Sequence, residues 1–401
     1  MSLFLNLLSE LQNPEKTRNF NVFKNYSLDE FQSQIEKYGK LLEFDPSYRP
    51  FRFAVIGTNG KGSTSYYLSE LLQKVKLDQN IGLYTSPHLL SPFERIICNG
   101  KMISEIESDE IITQLERIDA SQLKALSYFE CMTLLCFCFF KKMGCSFEVW
   151  EAGLGGRLDA TKLANPDVII LTKIGIDHSE ILGDTLEKIA FEKIHIAGNN
   201  SKVIYSFPVT GKLRSEIVSI AKSLRLEVHF FDENNYPDYL QYNFNFVKWV
   251  LEDLHILDPS LLPSFETLKR PPGRLETIRE TPLLVFDPAH NPDAVKHTIA
   301  TLRKSPEWQN KPSLLCGCLP DKDTDSIWKE ISAEAWQEIF FYEAEGFYKW
   351  SDALPSTTGK FLHSEKELKE ALDAEAGPVL ALGSFRLYPV LTSLYQNRVI
   401  L

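Results

Sequence analysis

Phe51-Arg52-Phe53-Ala54-Val55-Ile56-Gly57-Thr58-Asn59-Gly60-Lys61-Gly62-Ser63 runs from a short apolar segment into a glycine-rich turn, and then into a helix-like stretch from Thr64 to Val75. This is a strand feeding a loop whose lysine stands where a helix begins. Glycines let backbone N–H groups crowd an anion, the helix N-terminus adds positive potential, and Lys61 supplies a point charge. The stretch therefore points to bound phosphate and to ATP as its source. The common nucleotide loop G-x-x-x-x-G-K-[ST] would need glycine at Val55 and a hydroxyl at Gly62. Neither is present, which counts against an ordinary P-loop kinase.

Outward from this loop, short apolar β-branched runs alternate with helical patterns, the mark of a parallel α/β architecture. Strands are expected at 51–56, 81–85, 147–151, 167–172, 202–205, 227–231, 283–287, 313–318, 338–342 and 378–382. Helices are expected at 64–75, 105–118, 128–143, 185–196, 211–224, 241–254, 292–303, 324–336, 364–373 and 385–396. Pro259, Pro263, Pro271, Pro272 and Gly273 cluster before a fresh strand-helix series at Leu283. Such a cluster breaks regular structure. The expected organisation is a large P-loop-type parallel-sheet domain at 1–270 and a smaller, Rossmann-like α/β domain at 271–401.

Bulk properties narrow the partners. With 43 basic and 54 acidic residues the net charge is −11, which argues against nucleic acid or an anionic membrane as the main partner. Met1 to Leu8 is apolar but lacks a basic flank, and Glu10 follows too soon for a secretory segment; the expected setting is the cytoplasm. The longest apolar stretch, Met132 to Phe140, is closed by Lys141-Lys142 and falls well short of a bilayer span. The seven cysteines lack zinc-knuckle spacing and are expected to be reduced core residues.

In open parallel sheets ligands gather at the carboxyl ends of strands. Strand 81–85 leads into Ser86-Pro87-His88, strand 147–151 ends at Glu151 before a glycine-rich turn to Asp159, and strand 167–172 leads to Asp177-His178. A hydroxyl, a carboxylate and an imidazole would converge beside the phosphates, a donor set that Mg²⁺ accepts. Taken singly, each has a plainer reading as a turn, a tight bend or a helix cap. Lys193, in a helix opened by Asp184-Thr185, reads by itself as a solvated or snorkelling side chain. In the second domain, Arg274 and the string Asp287-Pro288-Ala289-His290-Asn291-Pro292 would hold a ribose, a base or a γ-phosphate from across an interdomain cleft. The alternative there is a proline-rich surface loop.

Taken in order, the strings resemble the folylpolyglutamate synthase and dihydrofolate synthase family of the ATP-dependent Mur ligase superfamily. They are Gly-Thr-Asn-Gly-Lys-Gly-Ser (57–63), Tyr-Thr-Ser-Pro-His-Leu (84–89), Glu-Arg-Ile (94–96) with Asn99-Gly100, Tyr-Phe-Glu (128–130), Glu-Ala-Gly-Leu-Gly-Gly-Arg-Leu-Asp-Ala-Thr (151–161), Gly-Ile-Asp-His (175–178), Leu-Gly-Asp-Thr-Leu-Glu-Lys-Ile-Ala (182–190) with Glu192-Lys193, Pro-Gly-Arg (272–274), Asp-Pro-Ala-His-Asn-Pro (287–292) and Asp-Lys-Asp (321–323). The resemblance implies that Thr58, Asn59, Gly60, Lys61, Gly62 and Ser63 bind ATP, that Ser63, Ser86, Glu151 and His178 ligate magnesium at two sites, and that Lys61, His178 and Lys193 are catalytic. It further implies a CO₂-derived carbamate on Lys193, which replaces the solvated reading of that lysine. Arg274, Asp287 and His290 would bind nucleotide from a C-terminal glutamate ligase domain. Asn243 would correspond to the family's ATP-contacting asparagine, although Tyr239-Leu240 stands where the family has His-Gln.

The implied reaction is ATP-dependent addition of L-glutamate to dihydropteroate and to reduced folates through an acyl phosphate, by a monomer. Ala125-Leu126-Ser127-Tyr128-Phe129-Glu130 resembles the dihydropteroate-pocket segment of bifunctional bacterial members, which have threonine where Ser127 stands. Ser127, Tyr128, Phe129 and Glu130, with Leu158, Asp159 and Ala160, would line that pocket. Tyr26 to Leu42 matches the family poorly. The rival readings are a monofunctional folylpolyglutamate synthase, a cell-wall Mur ligase and a non-catalytic ATP-binding regulator. Only residues 1–56 precede the loop, which disfavours the N-terminal sugar-nucleotide domain of a cell-wall enzyme. The intact Ser86, Glu151, His178 and Lys193 argue against the regulator.

Overall fold

The run Phe51–Ile56 forms strand β1, and its side chains from Phe53 onward are wholly buried, as expected for a strand covered on both sheet faces. The computed structural model describes residues 2–13, 28–41, 48–232, 238–256, 263–309 and 311–396. Of the poorly matching stretch Tyr26 to Leu42, only the helix Leu28–Leu41 lies within these residues.

Two compact units are present. The first comprises Met1–His88, Pro92–Asn234 and Asn243–Phe265; the second comprises Leu89–Ser91, Asn235–Tyr242 and Glu266–Leu401. In the first unit β1 is followed by β2 (Asn80–Tyr84), β3 (Ile96–Cys98), β4 (Lys101–Met102), β5 (Cys145–Glu151), β6 (Val168–Leu171), β7 (Val203–Ser206) and β8 (Glu227–Phe230). Among the described residues these make an eight-stranded sheet of order β4-β3-β2-β5-β1-β6-β7-β8. Strand β1 is central and pairs in parallel with β5 and β6, Val55 lying opposite Glu151 and Ile56 opposite Leu171. The nucleotide-type loop therefore leaves the sheet between the carboxyl ends of those two strands.

The second unit has β9 (Glu276–Arg279), β10 (Leu284–Phe286), β11 (Ser313–Cys316), β12 (Ile339–Tyr342), β13 (Lys360–Leu362) and β14 (Val379–Leu382), in sheet order β13-β12-β11-β14-β10-β9 among the described residues. All pairs are parallel except β9 with β10. Both sheets are the parallel α/β type that the alternation of patterns anticipates. The expected strands and helices are all found, with ends shifted by a few residues, except that the helix expected at 105–118 continues to Ala125 across a kink at Asp119.

Apart from the fourteen-residue helix Leu28–Leu41, the strands and helices absent from the expected set are short or lie at sheet edges. Strands β3 and β4 are joined by Asn99-Gly100, both at positive φ (48° and 72°), the pair that a tight hairpin demands. Strands β9 and β13 are of similar brevity. The helix Leu3–Glu10 is pinned by Asp109, which accepts the N–H groups of Leu3 and Phe4 at 3.1 and 2.9 Å.

The apolar helix Tyr128–Lys142 is a core element, with Cys131 through Phe140 all buried. No helix among the described residues is long and apolar enough to cross a membrane. All seven cysteines are free and buried. Trp150, fully buried on β5, packs against Phe137, Phe140 and Tyr84 with ring centroids 4.4, 5.3 and 5.4 Å away.

Beneath this cluster lies a buried charge. Glu148 is 1 % exposed and accepts hydrogen bonds from Arg52 Nε at 2.6 Å, Tyr48 Oη at 2.7 Å and Trp150 Nε1 at 2.9 Å. Removing one partner of a buried, hydrogen-bonded pair leaves the other desolvated and uncompensated. Arg52→Ala is expected to lower unfolding stability by about 3 kcal/mol, read from the urea midpoint; an unchanged midpoint would contradict the structural role given to this pair.

Candidate active site

The loop after β1 is held open by glycine geometry. Gly57 has φ 146°, and a Cβ there would overlap Thr172 Oγ1, while Gly60 has φ 93° and would meet Asn243 Oδ1 at 3.0 Å. Gly60 precedes the helix Lys61–Val75, and no side chain caps that helix. Its first N–H groups and the positive end of its dipole are the ready-made anion site that the sequence suggested.

The segment after β6 is stitched to this loop. Thr58 and Asn59 donate their N–H groups to Lys173 O at 2.8 and 3.2 Å, and Thr58 Oγ1 lies 3.0 Å from both the N and the O of Gly175. His178 follows three residues later, at φ 50°, with its N–H donating to Asp177 Oδ1 at 3.0 Å. On the other side of β1, the Ser86 N–H donates to Glu151 Oε2 at 3.2 Å. Glu151 is 3 % exposed. Ser86, Glu151 and His178 thus stand at the carboxyl ends of β2, β5 and β6, which flank β1 in the sheet order. Among the described residues no group of three or more His, Cys, Asp and Glu is placed to hold a metal by itself; the set here is one carboxylate, one imidazole and hydroxyls.

Lys193, 4 % exposed, lies in the last turn of the helix Leu186–Ile194 and donates from Nζ to Gly57 O at 2.8 Å. Burial, reinforced by the nearby Lys61 charge and only partly opposed by Asp177 and Asp159, pulls its pKa down to about 7. It is therefore no solvated surface lysine. Asn243, whose assignment rested on the weakest sequence match, is buried against Gly60 and lies within 3.5 Å of Thr64 Oγ1.

The expected acceptor-pocket residues divide by what their side chains already do. Ser127 and Glu130 cap each other at the start of the helix Tyr128–Lys142. Tyr128 is buried under the Arg95 guanidinium, 5.3 Å from the ring centre, and Arg95 Nε also donates to His88 Nδ1 at 2.9 Å. Asp159 caps its own turn, accepting from Leu154 N–H, Thr161 N–H and Thr161 Oγ1, and burial raises its pKa. Ala160 is buried, and Leu158 is half-buried. Phe129 remains as a half-buried ring against Gly153 and Tyr84.

In the second unit Arg274 and His290 both face Phe385, 5.1 and 6.1 Å from its ring centre. His290 Nδ1 lies 2.8 Å from Pro288 O; a carbonyl only accepts, so Nδ1 is the donor in this contact. Asp287 is 2 % exposed and accepts from the N–H groups of Leu275 and Ala289, from Thr298 Oγ1 and from Tyr239 Oη. Four donors occupy a carboxylate that the sequence had assigned to nucleotide. Tyr239 thus has a structural partner in Asp287. Thr172 and Phe385 escaped the sequence reading; their only signals are the hydroxyl ending β6 and the Gly383-Ser384 turn before the ring.

Comparison with known proteins follows the same two parts. The profile of the Mur ligase middle domain matches residues 55–256, and that of the Mur ligase glutamate ligase domain matches residues 273–384. The dihydrofolate synthase/folylpolyglutamate synthase of Buchnera aphidicola is 30 % identical over 343 residues, covering 80 % of this chain and 79 % of the relative. The Escherichia coli protein of the same name is 30 % identical over 299 residues, 68 % of each chain. A solved bifunctional folylpolyglutamate synthase/dihydrofolate synthase with Mn, AMPPNP and L-glutamate bound is 27 % identical, with a TM-score of 0.77 over 92 % of this chain and 94 % of that one.

The tight approach of Gly57 to Thr172 gives a direct check. Gly57→Ala is expected to lower stability by about 2–4 kcal/mol through steric overlap and disfavoured φ. Combining it with Thr172→Ala should cost less than the sum of the two single changes, measured by denaturant unfolding; strict additivity would show that the two residues do not meet.

Proposed function

The chain belongs to the dihydrofolate synthase/folylpolyglutamate synthase family of Mur ligases, and from that membership we propose that it joins L-glutamate to dihydropteroate and to reduced folates, converting ATP to ADP and phosphate. The observation that carries this reading is Lys193: a buried amine with a pKa near 7, bonded to the first residue of a phosphate-type loop. A simple nucleotide-binding protein has no use for such a group.

A carboxylate is a poor electrophile, so one of its oxygens first attacks the γ-phosphorus of ATP and ADP leaves. The glutamate amine then attacks the acyl carbon, loses a proton, and phosphate departs with the former carboxylate oxygen. Residues Thr58 to Ser63 cradle the phosphates through backbone N–H groups, and Lys61 offsets charge on the transferring phosphoryl group. Ser63, Ser86, Glu151 and His178 are oxygen donors and one imidazole, a set suited to Mg²⁺ or Mn²⁺. When bound there, divalent cations at two sites would supply further neutralisation of phosphate charge. Lys193, as a neutral amine, attacks CO₂ and releases a proton, giving a carbamate whose oxygens replace its positive charge with a negative one. Asn243 lies beside Gly60 to meet the nucleotide.

The acceptor's aromatic part is assigned to the ring of Phe129. The Ser127–Glu130 cap fixes the helix start that presents this ring, and Tyr128, Leu158, Asp159 and Ala160 shape the surrounding wall. In the second unit, the glutamate ligase domain, Arg274 and His290 offer a guanidinium and an imidazole around Phe385, suited to a phosphate or a purine. Asp287 serves them by holding the backbone of Leu275 and Ala289. A cytoplasmic setting fits seven free buried thiols.

Purified protein with ATP, Mg²⁺ and L-glutamate should release ADP when either dihydropteroate or a reduced folate is added. No stimulation by either acceptor would refute the folate reading, and stimulation by the folate alone would reduce it to a monofunctional synthase.

The pKa of Lys193 sets a second expectation. It is lowered, so the amine is protonated and unreactive below about 7 and free above it. At limiting dissolved CO₂, kcat should rise through a midpoint near pH 7, while Lys193→Ala should lower kcat roughly 100-fold or more with little change in ATP affinity. Wild-type turnover in that variant would contradict the assigned role.

A further inference from the structure

What holds the Lys193 amine in place is the turn that follows β5. Gly156 packs against the end of the helix Leu186–Ile194: a Cβ on it would overlap Lys193 O and lie 3.0 Å from the Lys193 carbonyl carbon and 3.1 Å from Glu192 O. All three are backbone atoms, so no rotamer change relieves the approach. The next residue completes the contact. Arg157 donates its N–H to Glu192 O at 2.8 Å, and its Nε lies 3.1 Å from both carboxylate oxygens of Glu192. The last carbonyls of a helix lack partners within it; here an inserted turn supplies one.

We propose that Gly156 and Arg157 are positioning residues, gripping the last turn of this helix so that Lys193 Nζ stays against the Gly57 carbonyl. The turn that carries the grip begins at Glu151, so the same few residues set the proposed metal ligand and the proposed carbamate site relative to one another. This inference rests on Lys193 being the functional amine of the site. The two contributions are unequal. The Arg157–Glu192 ion pair is partly exposed, with the two side chains 42 % and 20 % accessible, and such pairs are weak. The backbone approach at Gly156 admits no side chain and is the stronger half.

Acylation of lysines in the full-length protein by an acetyl N-hydroxysuccinimide ester, read peptide by peptide by mass spectrometry, reports amine placement without requiring turnover. Lys193 should be protected in the wild type. Its labelling rate should rise about tenfold or more in Gly156→Ala and about three- to fivefold in Arg157→Ala, with Arg157→Lys returning part of the protection. Circular dichroism identifies variants that remain folded. If Gly156→Ala does not fold, Arg157→Ala decides, and labelling within twofold of wild type there overturns the proposal. NMR with ¹³C-bicarbonate reads the carbamate separately. A wild-type chain without a carbamate signal would refute carbamylation, and the grip would still be decided by the acylation rates.

Discussion

The hydrogen bond from Lys193 Nζ to Gly57 O, at 2.8 Å, is the contact on which the rest of the first unit's chemistry depends. It joins the loop after β1 to a helix more than a hundred residues later in the chain, and it does so with a lysine that is almost wholly buried. An ammonium ion in such a place is strongly disfavoured unless it is compensated. Compensation here is partial, from one carbonyl and from Asp177 and Asp159 at longer range, while Lys61 opposes it. The amine consequently sits near neutrality, the state in which it is a nucleophile.

Glycines stand at three close approaches around the site. Gly57 can have no Cβ because Thr172 lies against it, Gly60 because the helix must begin in a left-handed turn beside Asn243, and Gly156 because Lys193's own backbone is in the way. At Gly156 two backbone segments meet more closely than a side chain permits, while at Gly57 and Gly60 the side chains of Thr172 and Asn243 fill the space a Cβ would take. The carboxyl ends of β2, β5, β1 and β6 are consecutive in the sheet, so close approach at these ends gathers the polar residues that follow them.

Much of this was legible in the chain before folding was considered. The parallel architecture follows from alternating strand and helix periods, and the phosphate loop from its glycines and lysine. Glu151 was marked by ending a strand, and Ser86 and His178 by following one. What the sequence concealed were properties of context. Lys193 has the local pattern of any helical lysine; the family resemblance singled it out, and its burial, the physical reason for a shifted amine, is a tertiary property. Asp287 has the pattern of a ligand at a strand end, yet its oxygens are taken by Tyr239, Leu275, Ala289 and Thr298. Ser127 and Glu130 likewise spell a pocket by resemblance and a capping box by geometry. The hairpin at Asn99-Gly100 was readable in principle, since that dipeptide supplies the positive φ values of a two-residue turn, but strands of two or three residues carry almost no periodic signal.

The central claim is that the acceptor's carboxylate is activated by direct phosphorylation in the site built around Gly57 and Lys193. The most direct measurement is isotopic: an acceptor with ¹⁸O in its reacting carboxylate is turned over with ATP and L-glutamate, and the released inorganic phosphate is examined by mass spectrometry. One ¹⁸O atom should appear in each phosphate, carried from the carboxylate as the acyl phosphate breaks down. Phosphate free of ¹⁸O, with amide product formed, would contradict the account.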